Sequence, residues 1–132
     1  MHSEFYIQSR IFAWAVANEH LIPQLKYLHA SPGGDLRHIA VARRLKATGT
    51  RRGFPDLILP HVNSRHAGLF IEQKKEGGEL SEEQIEWNEY LNAEGYLCIT
   101  SYSIEQSIQI ILEYIFGDSE LVNVYFNNLK RE

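Results

Sequence analysis

The run Gly53-Phe54-Pro55-Asp56-Leu57-Ile58-Leu59, followed beyond a polar loop by Leu69-Phe70-Ile71-Glu72-Gln73-Lys74, decides how the rest of this chain is read. Two short apolar runs separated by Asn63-Ser64-Arg65-His66 predict a β-hairpin or a pair of adjacent strands. Residues two apart in a strand point to the same face, so Glu72 and Lys74 project together. If the strands pair, Asp56 lies beside them. Two carboxylates and an ammonium at one sheet edge are costly unless a cation joins them.

Upstream, Thr48-Gly49-Thr50-Arg51-Arg52 reads as a basic loop feeding directly into Gly53. A helix reaching about Ala47 is predicted before it, with Asp35 as N-cap and Ser31-Pro32-Gly33-Gly34 as the preceding turn. Residues 35–52 hold six of the thirteen Lys and Arg, namely Arg37, Arg43, Arg44, Lys46, Arg51 and Arg52, against one acid. A charge run is ordinarily a solvated face. Beside the acidic edge, contact with phosphate is the better reading. Further upstream, residues 3–20 read as a helix on which Glu4, Gln8, Ile11 and Ala15 share a stripe. By periodicity Glu4 is a first-turn acid complementing the helix dipole. Pro23 ends that region, and Lys26-Tyr27-Leu28-His29 reads as a short strand.

Downstream, Gly77-Gly78 breaks the chain, and Ser81-Glu82-Glu83-Gln84 has the form of a capping box opening a helix to about Ala93. Trp87 and Leu91 fall on its core side, and Gln84 shares their stripe. Gly95 is a C-cap. Tyr96-Leu97-Cys98-Ile99-Thr100 is a strand apolar enough to be central. Ser103 opens a last helix with Ile104, Ile108, Ile111 and Ile115 as its buried stripe. Residues 118–132 are too apolar for a free tail and predict an edge cover or a contact with a second subunit. The order is helix, strand, basic helix, strand, strand, helix, strand, helix. It predicts an α/β sandwich around a mixed sheet flanked by helices.

The chain of 132 residues suits one domain, with a core over about 3–116 and the apolar extension behind it. Its net charge of −4 argues against a polyanionic partner until the distribution is considered. Residues 76–94 hold seven glutamates and no Lys or Arg, so one face is basic and another acidic. The single cysteine, Cys98, excludes an intramolecular disulfide and reads as a small buried hydrophobe. The N-terminus has no signal-peptide pattern and no run is long enough to span a membrane, which predicts a cytoplasmic setting. The six histidines make no zinc spacing with that cysteine, and His61 and His66 read as surface residues flanking the hairpin loop.

Gly-x-Pro-Asp followed a hairpin later by Glu-x-Lys resembles the PD-(D/E)xK nuclease superfamily. In a chain this short, the form Gly53-Phe54-Pro55-Asp56 is similar to the virus-type replication-repair nuclease (VRR-NUC) family, over about 4–116. The resemblance implies a restriction-endonuclease-like fold and Mg²⁺-dependent hydrolysis of DNA phosphodiesters, with Mn²⁺ as a substitute. Asp56 and Glu72 would be metal ligands, joined by the backbone carbonyl of Gln73 and by Glu4 from the first helix. Lys74 would orient or help deprotonate the attacking water, since a lysine titrates readily when partly buried. Gln84 would point at the active edge, an alternative to closing the capping box alone. Arg43, Arg44, Lys46, Arg51 and Arg52 would contact DNA. Lys75, of opposite strand parity, is assigned to DNA or the surface. Stand-alone members look like resolvases of branched DNA such as four-way (Holliday) junctions, which implies a homodimer in a bacterial or phage-infected cell. The alternatives are a flap or nicking nuclease, the cleavage module of a repair or restriction system, or a non-catalytic DNA-binding module with the same fold. Without the resemblance, Glu72 and Lys74 read equally as a surface ion pair, with Asp56 capping a turn after Pro55.

Overall fold

The hairpin forms as the sequence predicts, and the sheet grows outward from it. The computed structural model describes residues 2–32 and 39–117. In chain order these comprise helix α1 (Glu4–Asn18), a 3-10 helix (Pro23–Tyr27), strand β1 (His29–Ala30) and helix α2 (Ile39–Ala47). Strands β2 (Leu57–Leu59) and β3 (Leu69–Gln73), helix α3 (Glu82–Ala93), strand β4 (Leu97–Ser101) and helix α4 (Ile104–Phe116) follow. The strands lie in the order β1-β2-β3-β4. The first two pairings are antiparallel and β3 pairs with β4 in parallel, so the sheet is mixed. It is the helix-flanked α/β fold predicted above.

Period-two alternation gives the two faces of the sheet different jobs. Leu57 and Leu59 sit opposite Ile71 and Leu69, and all four are almost wholly buried. They join Ile7, Ile11, Trp14 and Ala15 of α1 and Ile108, Ile111 and Leu112 of α4 in one core. The other face carries Phe70 and Glu72 and meets α3. Phe70 packs edge-on against Phe54 and Tyr96, with ring centroids 5.7 and 5.2 Å apart. Helices α3 and α4 start at the caps the sequence predicts, and α1 starts behind Ser3. Ser3 Oγ accepts from Tyr6 N, Ser103 Oγ accepts from Gln106 N, and Ser81 and Gln84 close a full capping box.

Several local readings change. Of the expected first strand, 26–29, only His29 is in β1, where it and Ala30 pair with β2, while Lys26 and Tyr27 belong to the 3-10 helix. Pro23 does not merely end a helix. It opens the 3-10 turn, where its fixed φ fits and its missing N–H costs nothing, and Leu25 in that turn reaches the core. Strand β4 is not central but lies at the end of the described sheet. It is apolar because helices cover both its faces, and its open edge is blocked by side chains of α3. Asn92 Oδ1 accepts from Cys98 N at 3.0 Å, while Asn92 Nδ2 and Asn88 Nδ2 donate to Cys98 O at 3.0 and 3.2 Å. Those amides replace a fifth strand at that residue. Cys98 is buried, and burial pushes its thiol up to about 11.

His61 and His66 are half-buried against Tyr114 rather than surface residues. The Tyr114 hydroxyl donates to the carbonyl of His61 at 2.5 Å, and Asn63 Nδ2 donates to the carbonyl of Tyr114 at 3.1 Å. These bonds lock the hairpin loop to α4. The Gly33-Gly34 turn, the Asp35 cap, Arg37 and the apolar extension 118–132 lie outside the described residues.

Candidate active site

Register brings the acids together. Leu57 pairs with Ile71, so Asp56, one residue earlier, stands opposite Glu72, one residue later. Pro55, itself buried, delivers the chain to this point, and Asp56 is tied to both neighbouring strands. Its carbonyl accepts from Ser31 N at 2.8 Å, and its Oδ2 accepts from the backbone N–H of Gln73 at 2.9 Å. Glu72 is only 5% exposed. Its Oε1 accepts from Gln84 Nε2 at 2.8 Å. No donor among the described residues reaches its Oε2.

A buried carboxylate oxygen without a donor is costly, and the acid across the sheet adds to the cost. Glu72 is pushed up to about 9, first by burial and then by the charge of Asp56, with which it shares a hydrogen bond. Burial also raises Asp56, against the opposing pull of the Gln73 N–H. Both acids are thus held above the ordinary carboxylate range, so the pair favours retaining a proton when no cation is bound. Lys74 is half-buried, and its positive charge favours the ionised form of both acids. Glu4, also half-buried at the first turn of α1, opposes it and raises both.

Gln84 satisfies both of its sequence readings at once. Its Oε1 accepts from Ser81 N at 2.8 Å, closing the capping box, while its Nε2 holds Glu72. An amide has an acceptor end and a donor end, so one side chain serves the cap and the acid together. Gln73 behaves differently from its neighbours. Its side chain turns to the opposite face and is buried. Nε2 donates to the carbonyls of Lys74 at 3.1 Å and Ser101 at 3.2 Å, and Oε1 accepts from Ser107 Oγ at 2.5 Å. Ser107 Oγ also lies 2.6 Å from Ser101 Oγ. This buried network anchors the end of β3 to α4. Sequence reasoning missed it, although Ser107, a polar residue within the isoleucine stripe of α4, was the available signal.

The basic residues divide. A cleft of about 1010 Å³ opens beside Asp56 and Gln84 and is lined by Lys46, Arg51 and Arg52, with Thr50 and Gly53 between. Arg43 and Arg44 are exposed on α2 but do not line it, nor does the exposed Lys75. The loop bearing Arg51 and Arg52 is pinned on α3. Gly53 has φ +88°, and a Cβ there would meet the backbone of Glu83 at 2.6 Å. Trp87 Nε1 donates to the Arg52 carbonyl at 3.2 Å, and Phe54 packs edge-on against Trp87 with centroids 5.0 Å apart. Trp87 is therefore half-exposed over this loop rather than in the core, while Leu91 is buried as expected.

The profile of the VRR-NUC domain family matches residues 1–104. The chain belongs to the VRR-NUC family. A solved structure described as a VRR_NUC domain protein shares the fold with a TM-score of 0.73 at 28% identity, covering 87% of this chain and 89% of that chain. No curated protein matches the sequence. A VRR-NUC domain is a nuclease domain of the PD-(D/E)xK type, which agrees with the acid-acid-lysine edge. Nucleases of this type generally use divalent metals. The VRR-NUC site here offers a fitting donor set in Asp56 and the undonated Oε2 of Glu72. Glu4 does not complete a three-carboxylate ligand cluster among the described residues, and it acts on the pair through its charge.

Proposed function

We propose that this VRR-NUC protein is a Mg²⁺-dependent DNA endonuclease that acts on branched DNA, with Mn²⁺ able to substitute. The observation that carries the reading is the buried Glu72 Oε2 without a donor, on a residue that stands opposite Asp56 across the sheet. Such a pair is stable either with a shared proton or with a cation between its oxygens. A bound divalent ion would supply charge relief at the scissile phosphate and an acidified water. Asp56 and Glu72 would hold it, the Gln73 carbonyl would be a further ligand, and Glu4 would lie at the periphery. Gln84 fixes the rotation of the Glu72 carboxylate. Lys74 orients the nucleophilic water and offsets charge developing on the phosphate. Lys46, Arg51 and Arg52 hold the DNA backbone along the cleft, with Arg43, Arg44 and Lys75 as outlying contacts.

A four-way junction requires two symmetric cuts, so the working species is a homodimer, with the apolar extension 118–132 as its contact. The setting is the cytoplasm of a bacterium or a phage-infected host. No helix among the described residues is long and apolar enough to cross a membrane.

The test is a gel assay on a labelled four-way junction and a matching linear duplex, with Mg²⁺, Mn²⁺ or EDTA, beside Lys74→Ala. Paired cuts near the branch, abolished by EDTA and by the substitution, support the proposal. Equal cutting of both substrates would leave a nuclease without junction preference, as in a flap, nicking or restriction module. No cutting at all would favour a binding module. Light scattering at micromolar concentration tests the dimer, and a monomer would remove the resolvase reading.

A further inference from the structure

Beside the catalytic cleft lies a second concavity of about 460 Å³, lined by Arg51, Arg52, Glu83, Glu86, Trp87 and Tyr90. Arg51 and Arg52 line both hollows, so they form the ridge between them. Tyr90 is 57% exposed, and its ring meets that of Trp87 edge to face at 6.2 Å. Exposed aromatics need an explanation when they adjoin a substrate path.

We infer that Trp87 and Tyr90 form a stacking shelf for an unpaired nucleobase of the DNA strand that crosses the Arg51–Arg52 ridge. The inference rests on the nuclease reading and deepens it by naming which part of a branched substrate is recognised. Three features select a base over other occupants. The shelf is continuous with the cleft through two arginines that suit phosphates. The carboxylates of Glu83 and Glu86 repel phosphate, so the backbone stays on the ridge and only the base enters. The geometry is also set in advance, since the Trp87 indole N–H holds the Arg52 carbonyl and Gly53 lies against Glu83. A duplex keeps its bases stacked inside, whereas a branch point or single strand can offer one to an aromatic face.

The test uses the full chain in EDTA, titrated with a short oligo(dT) carrying one 2-aminopurine and, separately, with a blunt duplex. Stacking quenches the 2-aminopurine. Tyr90→Ala removes an exposed ring and leaves the core intact. It should weaken single-strand binding by about 5- to 100-fold and abolish the quench, while duplex affinity stays unchanged. Tyr90→Phe should behave as wild type. Equal weakening on both DNAs, or no effect on the single strand, would overturn the shelf. So would a change of oligomeric state in Tyr90→Ala, which would assign the patch to protein contact. The nuclease reading is judged apart, by Mg²⁺-dependent cleavage of the four-way junction by the wild-type chain. Such cleavage, with the quench unaltered in Tyr90→Ala, sinks only the shelf. A wild-type chain that neither binds nor cuts DNA overturns both.

Discussion

Replacing Glu72 by Gln should make the metal-free protein more stable at alkaline pH. The acid is raised from 4.5 to about 9 in the folded chain, because burial and Asp56 disfavour its ionised form. An acid whose folded pKa lies above its unfolded value leaves stability intact below 4.5. It withdraws stability as pH rises through that window toward 9. Between pH 5.5 and 8.5 the loss amounts to about 4 kcal/mol, at about 1.4 kcal/mol per unit of differential titration. For a domain of this size that is a fall of Tm on the order of 10 °C. Gln has the shape of the protonated acid. Its amide oxygen can still accept from Gln84 and its NH₂ can donate to Asp56. The assay is urea unfolding followed by circular dichroism, in EDTA, at several pH values across that range. Wild type should lose stability steeply, and Glu72→Gln should lose much less. Adding Mg²⁺ at pH 8.5 should restore wild type and do little for the variant. Cys98 and Tyr114 are raised by burial from reference values of 9.0 and 10.0, so their loss of stability begins only at the top of the range and is present in both proteins. Parallel pH profiles for the two proteins in EDTA would refute the reasoning, because Glu72 would then not be the acid under strain.

Ser107→Ala removes the donor to Gln73 Oε1 and leaves that buried atom unpaired; a stability loss of about 1–3 kcal/mol by chemical denaturation is expected. Gly53→Ala places a Cβ 2.6 Å from the Glu83 backbone at a φ of +88°, so the loop must lift from α3. It should lower the rate of DNA cleavage in a gel assay more than it lowers Tm, since the displaced segment carries Arg52 and leads into Asp56. Asn92→Ala leaves the Cys98 N–H without its partner at the sheet edge and the Cys98 carbonyl with Asn88 alone. It should cost about 1–2 kcal/mol in thermal melts and increase aggregation on heating, read by light scattering.

Much of the site was legible because its pieces are local. Asp56, Glu72 and Lys74 sit at the ends of short apolar runs, and strand parity alone aligns two of them. The capping box at Ser81 and Gln84 is a four-residue pattern, so its helix start was readable to the residue. What could not be read were contacts made across many residues of chain. Gln84 reaches Glu72 from twelve residues away, which the family resemblance alone suggested, and Ser107 reaches Gln73 from thirty-four. Neither distance follows from a periodic pattern. The division of the arginines is of the same kind, since charge along a chain does not say which side chains face a cleft. The misplacement of β4 has a plain cause: an apolar run reports burial of both faces and does not distinguish strands on either side from helices above and below.

The sequence by itself determined the hairpin, the mixed α/β order, the helix starts and the family, because turn chemistry, capping and period-two alternation act within a few residues. Only the tertiary structure decided that Glu72 lies buried opposite Asp56 with one oxygen lacking a donor. It likewise decided that Gln84 serves two partners and that Arg51 and Arg52 stand between the hollow beside Asp56 and the one lined by Trp87 and Tyr90. Those facts depend on how the α3 layer seats against the sheet, and that seating is settled by packing over the whole domain.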